Sequence, residues 1–469
     1  MSSKIRVRFA PSPTGNLHIG SLRSALFNWL FAHHHKGIFL LRIEDTDPER
    51  SKEHFLRSIL DAFSWIGIVS DEPIVTQSHR ILVYQKIAQE LLNKKLAYRC
   101  YCATEKYIEA DTENYRHYPG TCRKYEHEIL DKPYAIRFKL PNNISEISFQ
   151  DVVRGEISIN IDQLDDFIII RSDGMPMYNF AVVVDDEAMK ISHVIRGEEH
   201  IVNTPKQILL YQACNYQIPT FAHIPLILGP SGEKLSKRDG ALSVLEYKKM
   251  GYVQEALISY LARLGWSHGD QEIFSTSELI EHFSLEHVGK KGSIFDKIKL
   301  AWVNKTFIEK MDALEILQRI ENDLERDITS LCVGWEKEQI LRTITLFKER
   351  ISTLLELTDH IENFYKGSFN YENKDIISLF NPEIFSYFKE IIENLRKLAQ
   401  VEKQQLASLI SGITKKNNIG FAVLAKPLRF SLIGALEGPS LADLIMILGI
   451  EETINRIEKC CSMVTNPNT

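Results

Sequence analysis

"RFAPSPTGNLHIGSLRSALFNWLFAHHH" runs from Arg8 to His35. Just upstream and into it, Ile5, Val7 and Phe9 alternate with Lys4, Arg6 and Arg8, the period of a strand. Past the Pro/Gly loop, Leu22, Ala25, Leu26, Trp29 and Leu30 recur at helical spacing, and Lys36-Gly37 supplies a stop. Phe39 to Ile43 is a second apolar strand. Strand, helix and strand joined this way predict a parallel pair and a doubly wound α/β sheet. Asp47-Pro48 has the residue types of an N-cap and first helical position, predicting that the next helix starts there with Phe55, Ile59, Leu60 and Phe63 on one face.

The loop carries chemistry as well as topology. In an open parallel sheet, ligands bind beyond the carboxyl ends of the strands, where a helix N-terminus offers free N–H groups and partial positive charge to phosphate. Gly15 and Gly20 permit close approach. His18 and Thr14 can donate to phosphoryl oxygens. A second loop, "GPSGEKLSKRDG" from Gly229 to Gly240, sets Lys234, Lys237 and Arg238 between glycines. Cations that close over a triphosphate stabilise charge developing on its oxygens and on leaving pyrophosphate. Taken singly, the first loop also reads as a tight strand-to-helix connection and the second as a solvated turn.

The 469 residues suffice for about two to four domains. No run approaches the 18 or so apolar residues of a membrane span, and the N-terminus lacks a signal-peptide pattern, so a cytoplasmic protein without membrane contact is expected. The net charge of −6 advertises no global attraction to nucleic acid; such a partner needs a local basic face. Gly289 to Lys305, "GKKGSIFDKIKLAWVNK", offers five lysines against one aspartate, with Phe295 and Trp302 interleaved. It reads either as a phosphate groove or as a solvated helix face. Of seven cysteines, Cys214, Cys332, Cys460 and Cys461 read as ordinary thiols, whereas Cys100, Cys102 and Cys122 cluster.

"HIG" at 18–20 together with "KLSKR" at 234–238 resembles the paired signatures of class I aminoacyl-tRNA synthetases. The ordered set "RFAPSPTG", "RIEDTD", "MYNFAVVVDD", "VIRGEEH" and "KLSKR" is similar to the bacterial glutamyl-tRNA synthetase family. The likeness continues through "SIFDKIKLAWVN" to "KPLRFSLIGALEGPSLADLIMILG", and so covers nearly the whole chain. It implies a Rossmann-type catalytic domain in two halves, 1–84 and 191–241, around an inserted acceptor-binding subdomain, 85–190. A helical stem-contact domain, 242–321, and an all-α anticodon-binding domain, 322–469, would follow. The implied reaction joins ATP and L-glutamate to glutamyl-adenylate, then transfers glutamate to the 3′ end of tRNA-Glu. A tRNA-Gln-charging or non-discriminating enzyme is the alternative, and an RNA-binding or tRNA-modifying paralogue a further one. Mg²⁺ would accompany ATP, and the family suggests a monomer.

On this resemblance the ATP site comprises Ala10, Pro11, Ser12, Thr14, Gly15, His18, Gly20, Ser21, Lys234, Leu235, Ser236, Lys237 and Arg238, with His18 and Lys237 catalytic. The glutamate site comprises Arg8, Ser12, Glu44, Tyr178 and Arg196. That set makes chemical sense: an arginine fork suits a carboxylate, and Glu44 offers an anion to the ammonium. Members of the family carry a zinc ion at the cysteine cluster, often with a histidine two residues after the last cysteine. Lys124 stands there in this chain, which leaves Tyr118, at the spacing of a related paralogue, or His117 as fourth partner of Cys100, Cys102 and Cys122, the alternative being a degenerate site without metal.

Overall fold

The computed structural model describes residues 4–102, 118–124, 132–236, 242–367, 369, 374–398 and 402–465. The chain forms two compact units. One spans residues 1–246 and 254–297; the other spans 247–253 and 298–469.

The first unit begins as the alternation requires. Strand β1 (Arg6–Phe9) leads through the loop to helix α1 (Ile19–His34) and strand β2 (Ile38–Ile43). β1 and β2 pair in parallel, Arg8 opposite Leu40, and β2 pairs in parallel with the short β3 (Val75–Thr76). Helix α1 buries Leu22, Ala25, Leu26, Phe27 and Leu30 almost completely. Each such large apolar side chain contributes about 1.5–3 kcal/mol on leaving water. Its polar residues are also used: buried Asn28 donates to the Ile195 carbonyl at 2.9 Å, tying α1 to the sheet.

The helix expected from Asp47 starts later. Helix α2 runs Glu53–Ile66 with Lys52 as its cap residue. The Asp47 side chain instead accepts from the Glu49 amide at 3.2 Å, closing a local turn. The Lys52 amide is committed to the Pro13 carbonyl at 3.0 Å, which brings this segment back to the first loop. Asp favours a turn as readily as a helix cap, and here the distant contact decides. The expected apolar face stands: Ile59 and Phe63 are buried.

Helix α3 (Ile81–Asn93) precedes strand β4 (Ala97–Cys100). β4, β5 (Ala135–Phe138) and, after a hairpin, β8 (Ile168–Ile170) make an antiparallel sheet. The hairpin of β6 (Glu146–Asp151) and β7 (Gly155–Asn160) joins a different sheet. After helix α4 (Tyr178–Ala188), the parallel pattern resumes with β9 (His193–Gly197), helix α5 (Thr204–Cys214) and β10 (Thr220–Ile224). The order there is β7-β6-β10-β9, with β6 parallel to β10. The Ser192 amide donates to the Arg6 carbonyl at 2.9 Å, setting the start of β9 beside β1. Residues 85–190 therefore supply both the separate β4-β5-β8 sheet and a hairpin of the catalytic sheet.

The second unit is helical, including Ala313–Asp323, Lys337–Phe347, Leu354–Lys366, Pro382–Leu395, Lys403–Lys416, Phe421–Ile433 and Leu441–Thr465. Leu354–Lys366 opens with a capping box in which Thr353 and Glu356 satisfy each other's amides. The last helix kinks at Gly449, whose φ of 78° lies outside helical values. No described helix is long and apolar enough to cross a membrane. Of the aromatics in the basic segment, Phe295 is buried against Tyr260, while Trp302 is half-exposed.

Candidate active site

The carboxyl ends of β1, β2 and β9 open onto one cavity of about 420 Å³. It is lined by Arg8, Ala10, Pro11, Ser12, Thr14, Gly15, His18, Gly20 and Ser21 from the first loop and helix start. Glu44, Tyr178, Arg196, Lys234 and Leu235 of the expected set also line it. Ser236 is described but lies outside that lining; Lys237, Arg238 and His117 lie outside the described residues. Also lining it, and missed in the sequence, are Arg23, Glu199 and His200.

His18 is the N-cap of α1 rather than a residue inside its first turn. Its Nδ1 accepts from the Ser21 amide at 3.2 Å, satisfying one of the free donors of the helix end. That bond leaves the proton of the neutral ring on Nε2, 3.1 Å from Ser21 Oγ. Burial and the nearby Lys234 hold the imidazole below its usual pKa, so the neutral form prevails. At Gly20 a Cβ would lie 3.1 Å from the His18 ring, so a side chain there would push on the imidazole. Around Gly15 a Cβ would meet nothing within 4 Å, so that glycine leaves space beside the cavity. The second loop is anchored by Gly229 N–H to the Glu233 carbonyl at 2.7 Å, and Ser243 bridges back to His18.

The two cavity arginines have different surroundings. Arg8 makes a paired bond to Asp186, Nε at 3.0 Å and Nη2 at 3.2 Å. Asp186 also accepts from Arg42 at 2.6 Å, and Arg42 donates to Glu44 at 3.1 Å. Burial pushes the Glu44 carboxyl up while Arg42 and Arg8 oppose it. Arg196 is as buried as these, yet it donates only to neutral acceptors. They are His223 Nε2 (3.1 Å), Gln207 Oε1 (2.9 Å), the His200 carbonyl (3.4 Å) and Thr204 Oγ1 (2.8 Å). Burial depresses its pKa. Among the described residues no carboxylate forms an ion pair with it. Tyr178 lies alongside, its hydroxyl 3.3 Å from His200 Nδ1. Burial, then Arg196, push His200 down to about 4, so it remains neutral near pH 7.

A buried fork without a counter-ion, facing a cavity that begins at a helix N-terminus, is a site for a carboxylate beside a phosphate. The comparisons agree with that chemistry. Residues 4–302 match the class I tRNA synthetase catalytic domain of the E and Q type, and residues 304–461 match an anticodon binding domain. The chain belongs to the glutamate–tRNA ligase family. It is 41% identical to the glutamate–tRNA ligase of Geotalea uraniireducens, over 98% of this chain and 99% of that one. It is 42% identical to glutamate–tRNA ligase 1 of Syntrophus aciditrophicus, over 98% of each. A crystal structure of a glutamate–tRNA ligase from Elizabethkingia meningosepticum, in complex with its amino acid, superposes with a TM-score of 0.87 at 34% identity, covering 98% of this chain and 100% of that one. The chain is thus a class I aminoacyl-tRNA ligase with catalytic and anticodon-binding parts.

The cysteine cluster stands at the end of β4. The sulfurs of Cys100, Cys102 and Cys122 all lie within 4.8 Å of one another, with Cys102 and Cys122 at 3.6 Å. A tetrahedral zinc thiolate site places its sulfurs about 3.7 Å apart. The Tyr118 hydroxyl is 3.5 Å from Cys100 Sγ, so a fourth oxygen donor is in reach. Lys124 is exposed. Arg137 Nε donates to Cys100 Sγ at 3.3 Å and its guanidinium covers the Tyr118 ring at 3.8 Å, a setting that favours thiolate. The donor set fits zinc.

Proposed function

We propose that the chain activates L-glutamate with ATP and transfers it to tRNA-Glu. The observation that carries this reading is Arg196, a buried cation whose acceptors are all neutral. A substrate side-chain carboxylate supplies the missing charge. Glutamine would leave the guanidinium uncompensated, and a site built around one polar partner rejects analogues that lack it strongly. Arg8, already neutralised by Asp186, contributes direction rather than net charge. Glu44, with Tyr178 and Ser12, receives the ammonium end. The bound α-carboxylate is then the nucleophile: it attacks the α-phosphorus of ATP, the acyl–phosphate bond forms, and pyrophosphate leaves. The tRNA 3′-terminal hydroxyl next attacks the acyl carbon, and AMP departs. No general base from the protein is needed for the first step, so the residues act by positioning and charge.

The ATP phosphates lie, in this reading, between the start of α1, Thr14, the Nε2–H of His18 and Lys234. With His18, Lys237 stabilises charge on the α-phosphate, and Arg238 adds further positive charge over the triphosphate. Mg²⁺ bound with ATP would supply further charge neutralisation at the phosphates. Cys100, Cys102, Cys122 and Tyr118 would hold a structural zinc ion, which would cross-link the end of β4. Its check is a native mass spectrum: one added zinc is expected, and the bare chain mass removes the claim. The domain limits 1–84, 85–190, 191–241, 242–321 and 322–469 remain part of the proposal, as do a monomeric state and a cytoplasmic site of action.

The deciding experiment is charging with labelled glutamate, ATP and magnesium on pure tRNA-Glu and tRNA-Gln, each verified as chargeable. Label on tRNA-Glu alone is expected. Label on tRNA-Gln makes the enzyme a supplier for an amidation step, and none on either overturns the proposal.

A further inference from the structure

We infer that Asp151 and His223, which touch neither cavity wall, form a positioning pair that fixes the hydrogen-bonding polarity of Arg196 for the amino-acid carboxylate. The inference rests on the assignment of that carboxylate to Arg196. His223 stands opposite Arg196 in the β9/β10 register, and Asp151 stands opposite Phe221 on the other side of β10. All three side chains are buried, Asp151 and His223 completely.

The roles along the Arg196–His223–Asp151 chain follow from what each group can donate, and the Thr204 hydroxyl, 3.1 Å from His223 Nε2, is a second partner on that nitrogen. A guanidinium can only donate, so His223 Nε2, 3.1 Å from Arg196 Nε, must be the bare nitrogen. The ring proton is therefore on Nδ1, which donates to Asp151 Oδ2 at 2.7 Å. Asp151 is held as the acceptor by the rest of its surroundings: the Val153 and Arg154 amides donate to Oδ1 at 3.0 and 2.8 Å, and the His223 amide reaches both oxygens. Burial alone would push this carboxyl up, but these bonds hold it below its ordinary pKa. With Nε engaged by His223 and the two Nη atoms by Gln207, Thr204 and His200, the fork has one orientation. Reversing the ring tautomer would set N–H against N–H at Arg196 Nε and release it.

Asp151→Asn performs that reversal with little change of shape. The amide oxygen can keep the Val153 and Arg154 bonds on the Oδ1 side, while its NH₂ faces His223 Nδ1 and forces the proton to Nε2. Charging of tRNA-Glu is measured against glutamate and, separately, against ATP, alongside the melting temperature. For Asp151→Asn the glutamate KM should rise on the order of 10- to 100-fold, with the ATP KM within about threefold of wild type, because only the amino-acid fork is misplaced. His223→Gln, which offers an oxygen acceptor to Arg196, should stay closer to wild type than His223→Leu. This pair decides alone if the asparagine variant does not fold. Glutamate KM values that stay flat across the variants, or that rise in step with the ATP KM, overturn the positioning role. A wild-type enzyme that charges no glutamate removes the functional reading and this role with it. Charging by wild type with flat variant KM values removes the role alone.

Discussion

Arg42 meets three carboxylates within 4 Å, Asp185, Asp186 and Glu44, whereas Arg196, on a strand of another sheet and almost as buried, has no ion-pair partner among the described residues. The first arrangement is internally neutralised and extended: Asp185 also receives Arg80 and the Tyr84 hydroxyl, and Asp186 receives Arg8. The second is held only by neutral acceptors. A buried pair broken on one side leaves an uncompensated charge, so the first region is tied to stability. A buried cation left without a partner is waiting for one from outside, so the second is tied to ligand. Both arginines come at the carboxyl side of strands, and residue type alone does not separate them.

That contrast can be broken experimentally. Arg196→Gln should lower kcat/KM for glutamate on the order of 10³-fold or more, while leaving the urea midpoint near wild type. A large stability loss with modest kinetic change would move Arg196 into the structural class. Asp186→Ala should do the reverse in stability, removing about 3–5 kcal/mol of unfolding free energy in urea by leaving buried Arg8 without its Asp186 partner, while Arg42 keeps Glu44 and Asp185. Lys237→Ala sharpens the comparison with a cation of a third kind, one assigned to the transition state. It should cost about 10²-fold in kcat with stability unchanged, and near-normal turnover would remove Lys237 from the reaction.

The smallest effect is in acid. Burial alone would raise the Asp186 carboxyl, but Arg8 and Arg42 overcome this and hold it below its usual value. Its folded pKa lies below the unfolded one. Its contribution is therefore complete above the unfolded carboxyl value near 4 and is lost as pH falls through the folded value. The urea midpoint of wild type should fall in that window, and Asp186→Asn should show a shallower fall. An identical acid limb in the two proteins would mean that Asp186 is not a main contributor.

Much of this was legible in the chain because the information was local. Alternation gave β1, helical spacing gave α1, and the ordered signatures put Arg8, His18, Glu44 and Arg196 in one cleft. The misplaced start of α2 shows the limit of local signals: Asp47 could cap a helix or a turn, and the Lys52 amide was already committed to Pro13. Asp186 was visible as an acid ending the apolar run "FAVVVDD", yet its partners come from β1 and β2. Asp151 and His223 carried no local pattern at all. Their meeting depends on a parallel pairing between strands 70 positions apart, and only a polar residue within the apolar "FAHI" run hinted at it.

The hairpin β6–β7 leaves one sheet after β5, delivers Asp151 to a second, and returns to the first at β8. The region that looks detachable in the sequence is therefore sewn, at its midpoint, into the sheet that carries Arg196. It is not a self-contained cassette: a graft that alters the seam also alters the β6–β10 pairing that sets Asp151 against His223. Any recombination scheme for this enzyme has to cut outside residues 146–160 or carry β10 along with them.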